Sequence, residues 1–284
     1  MSNQYYRWQP EDTARVTAAF RAVELEQNEA LFRDEWAPVM AGNHGRKLLE
    51  KFPGYETSAN GSVVRTHLID QLLLDSFSEQ NIDTVLCLGA GYDTRPYRLC
   101  VPDHLNWIEV DLPGVLQRKR SLLQQATPFC NVQRIIADFQ QHETRQSWKS
   151  QLMANSNRTA VVTEGLLVYL TPAEVESLAA DLFETGVVVK WITDLAAPLI
   201  REWMNLQAVN NPQLKSIKWA FAPENPAGDF SKLHWQLSHS YSCIEHAEML
   251  NRPIILPDVK AAMHARGVDV NQLSTVAVLE PLAV

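Results

Sequence analysis

Cysteine is scarce in this chain, with four among 284 residues: Cys87, Cys100, Cys130 and Cys243. They lie far apart and form no C-x-x-C pair, so neither a disulfide framework nor a zinc ligand set is expected, and no metal site is assigned. Thiols scattered in this way fit a reduced, cytoplasmic protein. A block of lysine and arginine is also missing. There are 25 basic against 33 acidic side chains, a formal net charge of −8, which argues against nucleic acid or an anionic membrane as the main partner. No run of about 18 apolar residues is available to span a bilayer. The opening Met1-Ser2-Asn3-Gln4-Tyr5-Tyr6-Arg7 has no apolar core of a signal peptide. Internal repeats and low-complexity tracts are absent as well. Nothing in the composition bears on oligomeric state.

What is present is a hydrophobic content of 46%, enough for one large α/β core, and residues 1–284 read as one domain. Residues 1–80 read as a helical cap. Val16, Ala19, Phe20, Val23, Leu31, Phe32 and Trp36 recur at near-helical spacing and predict a helix over 11–40. The segment 52–56 reads as a turn, and a second helix is expected at about 62–78. These helices are expected to cover one end of a sheet. From Ile82 the rhythm becomes strand, helix, strand, with strands at about 83–88, 105–110, 131–136, 159–163 and 187–192 and helices between them. Alternation of this kind predicts a parallel sheet with helices on both faces. Thr171-Pro172-Ala173-Glu174 carries the marks of a helix start: Thr at the N-cap, Pro in the first turn and Glu three residues on. Beyond the fifth strand, a cap insertion is placed near 197–235, an exposed strand at 237–242, a helix at 257–266 and a last strand at 274–279. The two late strands are expected to form an antiparallel hairpin at a sheet edge.

The first strand ends in Leu88-Gly89-Ala90-Gly91-Tyr92-Asp93-Thr94. Two glycines one residue apart let the backbone approach a ligand closely. Asp111 follows Gly91 by 20 residues, at the end of the second strand, where an acid can accept hydrogen bonds from a ribose diol. The pair points to an adenosine-containing cofactor. Where the dinucleotide fingerprint wants a third small residue this chain has Thr94, and Asp93 would set a negative charge beside a pyrophosphate. A cofactor without phosphate, S-adenosylmethionine, fits better. Asp111, Asp138 and Glu164 close the second, third and fourth strands in turn, and ligands of such sheets bind beyond those strand ends. Three carboxylates on one rim need partners. A ribose diol, an adenine amino group and an α-ammonium supply them. Taken singly, each acid could instead cap its own helix.

Leu88-Gly89-Ala90-Gly91-Tyr92-Asp93-Thr94-Arg95, Glu109-Val110-Asp111-Leu112-Pro113, Ala137-Asp138-Phe139 and Glu164-Gly165-Leu166-Leu167-Val168-Tyr169-Leu170-Thr171-Pro172 occur in an order and spacing that resemble the leucine carboxyl methyltransferase family. Ser62 to His67 resembles the helix before that family's first strand. The likeness spans about residues 13–195 and, weakly, the last strand. The C-terminal third is more similar to bacterial relatives that act on small molecules such as polyketides than to the branch that methylates the terminal leucine of protein phosphatases. The resemblance implies a Rossmann-like S-adenosylmethionine-dependent methyltransferase fold, a mainly parallel seven-stranded sheet with helices on both faces. It implies that Arg65 pairs with the cofactor's carboxylate, that Gly89, Ala90 and Gly91 pass under its methionine part, and that Asp111, with Leu112, holds the ribose. Asp138 and Phe139 would meet the adenine. Glu164 and Gly165 would face the α-amino end. Tyr169 would lie near the methyl acceptor.

The acceptor is expected to be a small molecule methylated at a carboxylate or a hydroxyl. A carboxylate is already ionised at neutral pH, whereas a hydroxyl needs a base. His67, Tyr169, His234, His239 and Tyr241 are candidates by type alone, and no catalytic base is assigned. Trp219 and Phe221, with Phe230 and Trp235, offer aromatic surface for an acceptor pocket roofed by residues 11–78 and 211–235. The competing readings are methylation of a protein C-terminal leucine, a nicotinamide-dependent oxidoreductase, and an inactive cofactor-binding protein.

Overall fold

The computed structural model describes residues 9–49, 55–139, 141–210 and 218–283. The segments 1–8, 50–54 and 211–217 lie outside it, and with them most of the expected turn at 52–56 and part of the expected insertion. Seven strands form one sheet in the order β3-β2-β1-β4-β5-β7-β6: β1 Thr84–Leu88, β2 Asn106–Asp111, β3 Asn131–Ile136, β4 Thr159–Thr163, β5 Val188–Ala196, β6 Trp235–Ser242 and β7 Ser274–Pro281. The first five pair in parallel. The last, β7, runs antiparallel to both neighbours and is inserted between β5 and β6. The expected antiparallel pairing of the two late strands is therefore present. It is not a hairpin, however, because α10 Cys243–Met249 and α11 Pro257–Ala265 intervene, and the sequence reading had missed α10.

Every residue of β1 and β4 is buried, as befits strands covered on both faces. One face packs Leu86, Val161, Trp191 and Leu195 against Trp148 of α6 His142–Asn155, Leu178 of α7 Pro172–Glu184 and Phe230 of α9 Pro226–Ser231. At its centre Trp191 meets Phe230 and Trp235 edge-on, at ring centroid distances of 5.6 and 5.4 Å, and its indole N–H donates to Thr163 Oγ1 at 2.8 Å. The start of α7 is a reciprocal cap in which Thr171 and Glu174 bond each other's backbone N–H.

The opposite face corrects one expectation. The N-terminal helices do not merely cover an end of the sheet. Within α3 Tyr55–Glu79, Val64, Leu68, Ile69 and Leu73 pack against Val85, Cys87, Trp107 and Val162. Only α1 Pro10–Leu25 and α2 Ala37–Leu49 stand beyond the strand ends, in a cluster with Tyr92, Tyr97 and Val115. The helix predicted over 11–40 also stops at Leu25. Carboxylates capture the backbone there: Glu24 accepts the Leu31 N–H at 2.6 Å, and Asp34 accepts those of Trp36 and Ala37. Three cysteines are buried and Cys100 is exposed, all as free thiols. No helix among the described residues is long and apolar enough to cross a membrane.

Replacing Trp191 by Ala should cost about 3–5 kcal/mol of unfolding free energy in urea, from the cavity and the orphaned Thr163 partner. The same change at exposed Met153 should fall within about 0.5 kcal/mol of wild type.

Candidate functional site

Beyond Leu88 the chain turns sharply. Gly89 and Gly91 both take positive φ, 65° and 43°. A Cβ on Gly89 would also stand 3.0 Å from the Leu166 side chain, so the turn is closed to larger residues. The loop is fixed from several sides. Gly89 and Ala90 donate to Val110 O, and Gly91 N–H donates to Asp111 Oδ2 at 2.6 Å. Asp111 Oδ1 accepts the Leu112 N–H at the same distance. Burial raises the Asp111 carboxyl above its ordinary value, against these two bonds. Beneath the loop, Lys119 is wholly buried, 2.8 Å from Glu109.

A buried ionic network lies beside the loop. Arg95, which opens the short helix α4 Arg95–Arg98, directs Nε to Asp70 at 2.6 Å, Nη1 to Asp93 at 2.6 Å and Nη2 to Glu164 at 2.7 Å, and is 2% exposed. Arg98 takes both oxygens of Asp70. Arg21 of α1 bonds Asp34 and the Tyr92 carbonyl, and Thr94 donates to the same Asp34 oxygen. On the other side Arg65 joins Glu164 at 3.1 Å to Asp194 at 3.1 Å, and Thr66 donates to Glu164 at 2.7 Å. Asp194 also accepts the Gly165 N–H at 2.6 Å. Burial would push the Glu164 carboxyl up, but Arg95 and Arg65 outweigh it and hold it down at about 2. Asp93 is likewise held well below the ordinary carboxylate range, its burial overcome by Arg95 and Lys119.

Of these groups, Arg21, Arg65, Thr66, Asp93, Arg95, Arg98, Asp111, Glu164 and Asp194 open onto one cavity of about 1340 Å³. Arg65, Gly89, Ala90, Gly91, Asp111, Leu112, Asp138, Phe139, Glu164, Gly165, Tyr169 and Trp219 all line it, so twelve of the thirteen candidate residues come together. None of the three rim acids is a helix N-cap: Leu112 and Gln141 hold those positions for α5 Pro113–Leu122 and α6. Phe221 is the exception. It is outside the lining and packs on Phe230, 6.3 Å away, against the sheet core, where Phe230 and Trp235 are also buried. Trp219 meets Tyr169 edge-on at 6.5 Å, and the Ala220 N–H donates to Val168 O at 2.7 Å. Among the described lining residues there is no histidine. His234 stacks on Phe183, and His239 on Tyr241 in β6, away from the cavity. His67 is outside the lining too.

Sequence reasoning overlooked Arg95, Asp93 and Asp194 as members of the site. The fifth strand, expected at about 187–192, runs from Val188 to Ala196 and so carries Asp194 near its end. The signal was present: an acid and a base bracket Thr94 directly after the glycines, and Asp194 is a fourth acid near a strand end. Arg65 also differs from expectation, because two of its nitrogens already serve protein carboxylates.

Sheet order and reversed β7 define a Rossmann-like methyltransferase fold. A Thermobifida fusca structure named as a methyltransferase superposes with a TM-score of 0.58 at 18% identity, over 95% of this chain and 94% of that one. A DUF574 family protein from Streptomyces avermitilis gives 0.60 at 13% identity, over 95% and 97%. Likeness at these identities carries the fold alone. Sequence carries more: the leucine carboxyl methyltransferase family model matches residues 14–183, and a Streptomyces avermitilis protein named for S-adenosyl-L-methionine-dependent methyl transfer is 30% identical over 274 residues, 90% of this chain and 94% of that one. A similarly named Streptomyces coelicolor protein is 34% identical over 184 residues, 61% of this chain and 64% of the other, just under two thirds of that protein's length. The chain belongs to the leucine carboxyl methyltransferase family.

Glu164→Gln should lower stability at neutral pH by about 3–5 kcal/mol, since Arg65 and Arg95 lose a buried counter-charge. The depressed Glu164 contributes fully above its ordinary value of 4.5 and loses that contribution as pH falls toward about 2. Urea midpoints of variant and wild type should therefore converge over that window.

Proposed function

We propose that this S-adenosylmethionine-dependent methyltransferase acts on an oxygen of a small molecule, and that the oxygen belongs to an acid already ionised when it binds. The observation that carries the second half is the chemistry of the cavity wall. A hydroxyl acceptor needs a group to take its proton. Glu164 is held near 2 and is occupied by three donors, which makes it a poor base. Burial raises the Tyr169 phenol above its ordinary value, so at neutral pH it is a hydrogen-bond donor. Histidine is absent from the described lining. An ionised carboxylate needs no such group.

The residues fit the cofactor. Five carboxylates of the network, Asp34, Asp70, Asp93, Glu164 and Asp194, meet four guanidinium groups, those of Arg21, Arg65, Arg95 and Arg98. The network as a whole therefore carries one negative charge in excess, and three of its carboxylates, Asp93, Glu164 and Asp194, line the cavity. When bound, S-adenosylmethionine supplies an electrophilic methyl group on a sulfonium. In this reading Asp111 accepts from the ribose with the lone pairs left by Gly91 and Leu112, and Asp138 and Phe139 bound the adenine. Glu164 and Gly165 face the amino end, and the third nitrogen of Arg65 takes the carboxylate. The chain works as one methyltransferase unit, with α1 and α2 as the cap over the loop. Its own contribution to the transfer is alignment and exclusion of water.

Titration calorimetry should give 1:1 binding of S-adenosylhomocysteine, and Asp111→Ala should weaken it at least tenfold, for a loss of about 1.5–3 kcal/mol. With labelled cofactor, small carboxylic acids should accept methyl better than the matching alcohols. A peptide ending in a leucine carboxylate that outperforms every small acid would return the chain to the protein-directed reading.

A further inference from the structure

The cavity is far more polar at the network than elsewhere. Its other wall is built by Leu199, Trp203 and Met204 of α8 Pro198–Asn210, and by Leu256, Val259 and Met263 at and within α11. On α8 the spacing of Leu199 and Trp203, and on α11 that of Val259 and Met263, is four residues, so each helix turns an apolar stripe to the same space. Four of these side chains also reach solvent: Leu199 is 42% exposed, Trp203 45%, Leu256 56% and Val259 40%. They are at once wall and rim. Large apolar side chains left wet around a cavity mouth mark a binding surface, since covering each is favourable. The volume of about 1340 Å³ leaves room for an acceptor beside the cofactor, since roughly 300–1,000 Å³ serves one small ligand.

The position of the α11 side of this wall is itself held. Arg252, just ahead of it, bonds the buried carboxylate of Glu24 near the end of α1 and the carbonyl of Glu29 in the segment beyond it, and Asn60 of α3 donates to the Pro253 carbonyl at 2.9 Å. The apolar wall is thus tied to the same helices that carry Arg21 and Arg65. It is a fixed surface continuous with the polar site.

We infer that the acceptor is an amphiphile, with its acidic oxygen at the cofactor end and an extended apolar body that leaves the cavity between α8 and α11. This rests on the reading of the cavity as that of an acid-methylating enzyme. It commits the apolar rim to the substrate itself. The body is a chain or fused ring system long enough to touch Trp203 and Leu256 together, and a compact acid would leave them wet.

The test is calorimetric titration of the protein saturated with S-adenosylhomocysteine, using straight-chain alkanoic acids from about four to about twelve carbons. Affinity should rise roughly threefold to fourfold per methylene until the chain clears the rim. Trp203→Ser combined with Leu256→Ser should weaken the long acids at least tenfold and leave the shortest unchanged. Because both side chains are partly exposed, melting temperature and S-adenosylhomocysteine affinity of the variant should match wild type. An affinity that is flat along the series, or long acids that bind the variant as well as wild type, would overturn the proposal. Transfer of label from the cofactor is scored separately. Length-dependent binding with no ester formed would keep the amphiphile site and remove the acid-methylating reading. Esters of short acids with flat affinity would do the reverse.

Discussion

The guanidinium of Arg95 is the point on which the described structure turns. It reaches three carboxylates that belong to three different parts of the chain: Asp70 of α3, Asp93 of the glycine loop and Glu164 at the end of β4. Buried ions of this kind are expensive, and a network repays the desolvation only when its partners are complete. Here the partners are complete because the loop, the cap and the sheet end are each in place. Removing any one of the three would strand charge in the interior. The network therefore couples the shape of the glycine loop to the docking of the N-terminal helices, a coupling that apolar packing of α3 on the sheet could not give by itself, since packing tolerates small slides that a fork of hydrogen bonds does not.

The same economy explains the chemistry. Carboxylates gathered at the rim of a parallel sheet would repel one another and rise toward neutrality if left alone. The arginines keep Asp93 and Glu164 ionised, so that both stand at the cavity as fixed charge and the protein need not reorganise to present it. Asp111 is handled differently: backbone N–H groups hold it, and burial works against its charge.

Most of the parallel core could be read from the chain because strand periodicity, glycines and caps all act locally. β3 and β4 were placed to the residue, and the Thr171 cap in full. Twelve of the thirteen candidate site residues share a cavity because strand ends in a parallel sheet must converge. What could not be read was set by contacts distant in sequence. The break after Leu25 depends on Glu24 and Asp34 catching backbone groups several residues on. Phe221 looked like pocket surface because an aromatic in a loop has no periodicity to say which way it packs. The part of Arg95 depends on partners 25 and 69 residues away, which no local pattern displays. The rim on α8 and α11 was invisible for the same reason: each helix alone is only a modest apolar stripe.

The place of β7 has a consequence for how the molecule can be assembled. The strand made last occupies an interior position, flanked by β5 on one side and β6 on the other. As the chain emerges from a ribosome, β1 to β5 can pair in turn, but β6 arrives with no neighbour to receive it. Its seat exists only once residues 274–281 have come out and joined β5. Until then the edge of β5 stands open, with unpaired backbone groups and the apolar side chains of Trp191 and Leu195 beside it. The nascent protein thus carries an unfinished sheet through synthesis of some eighty residues.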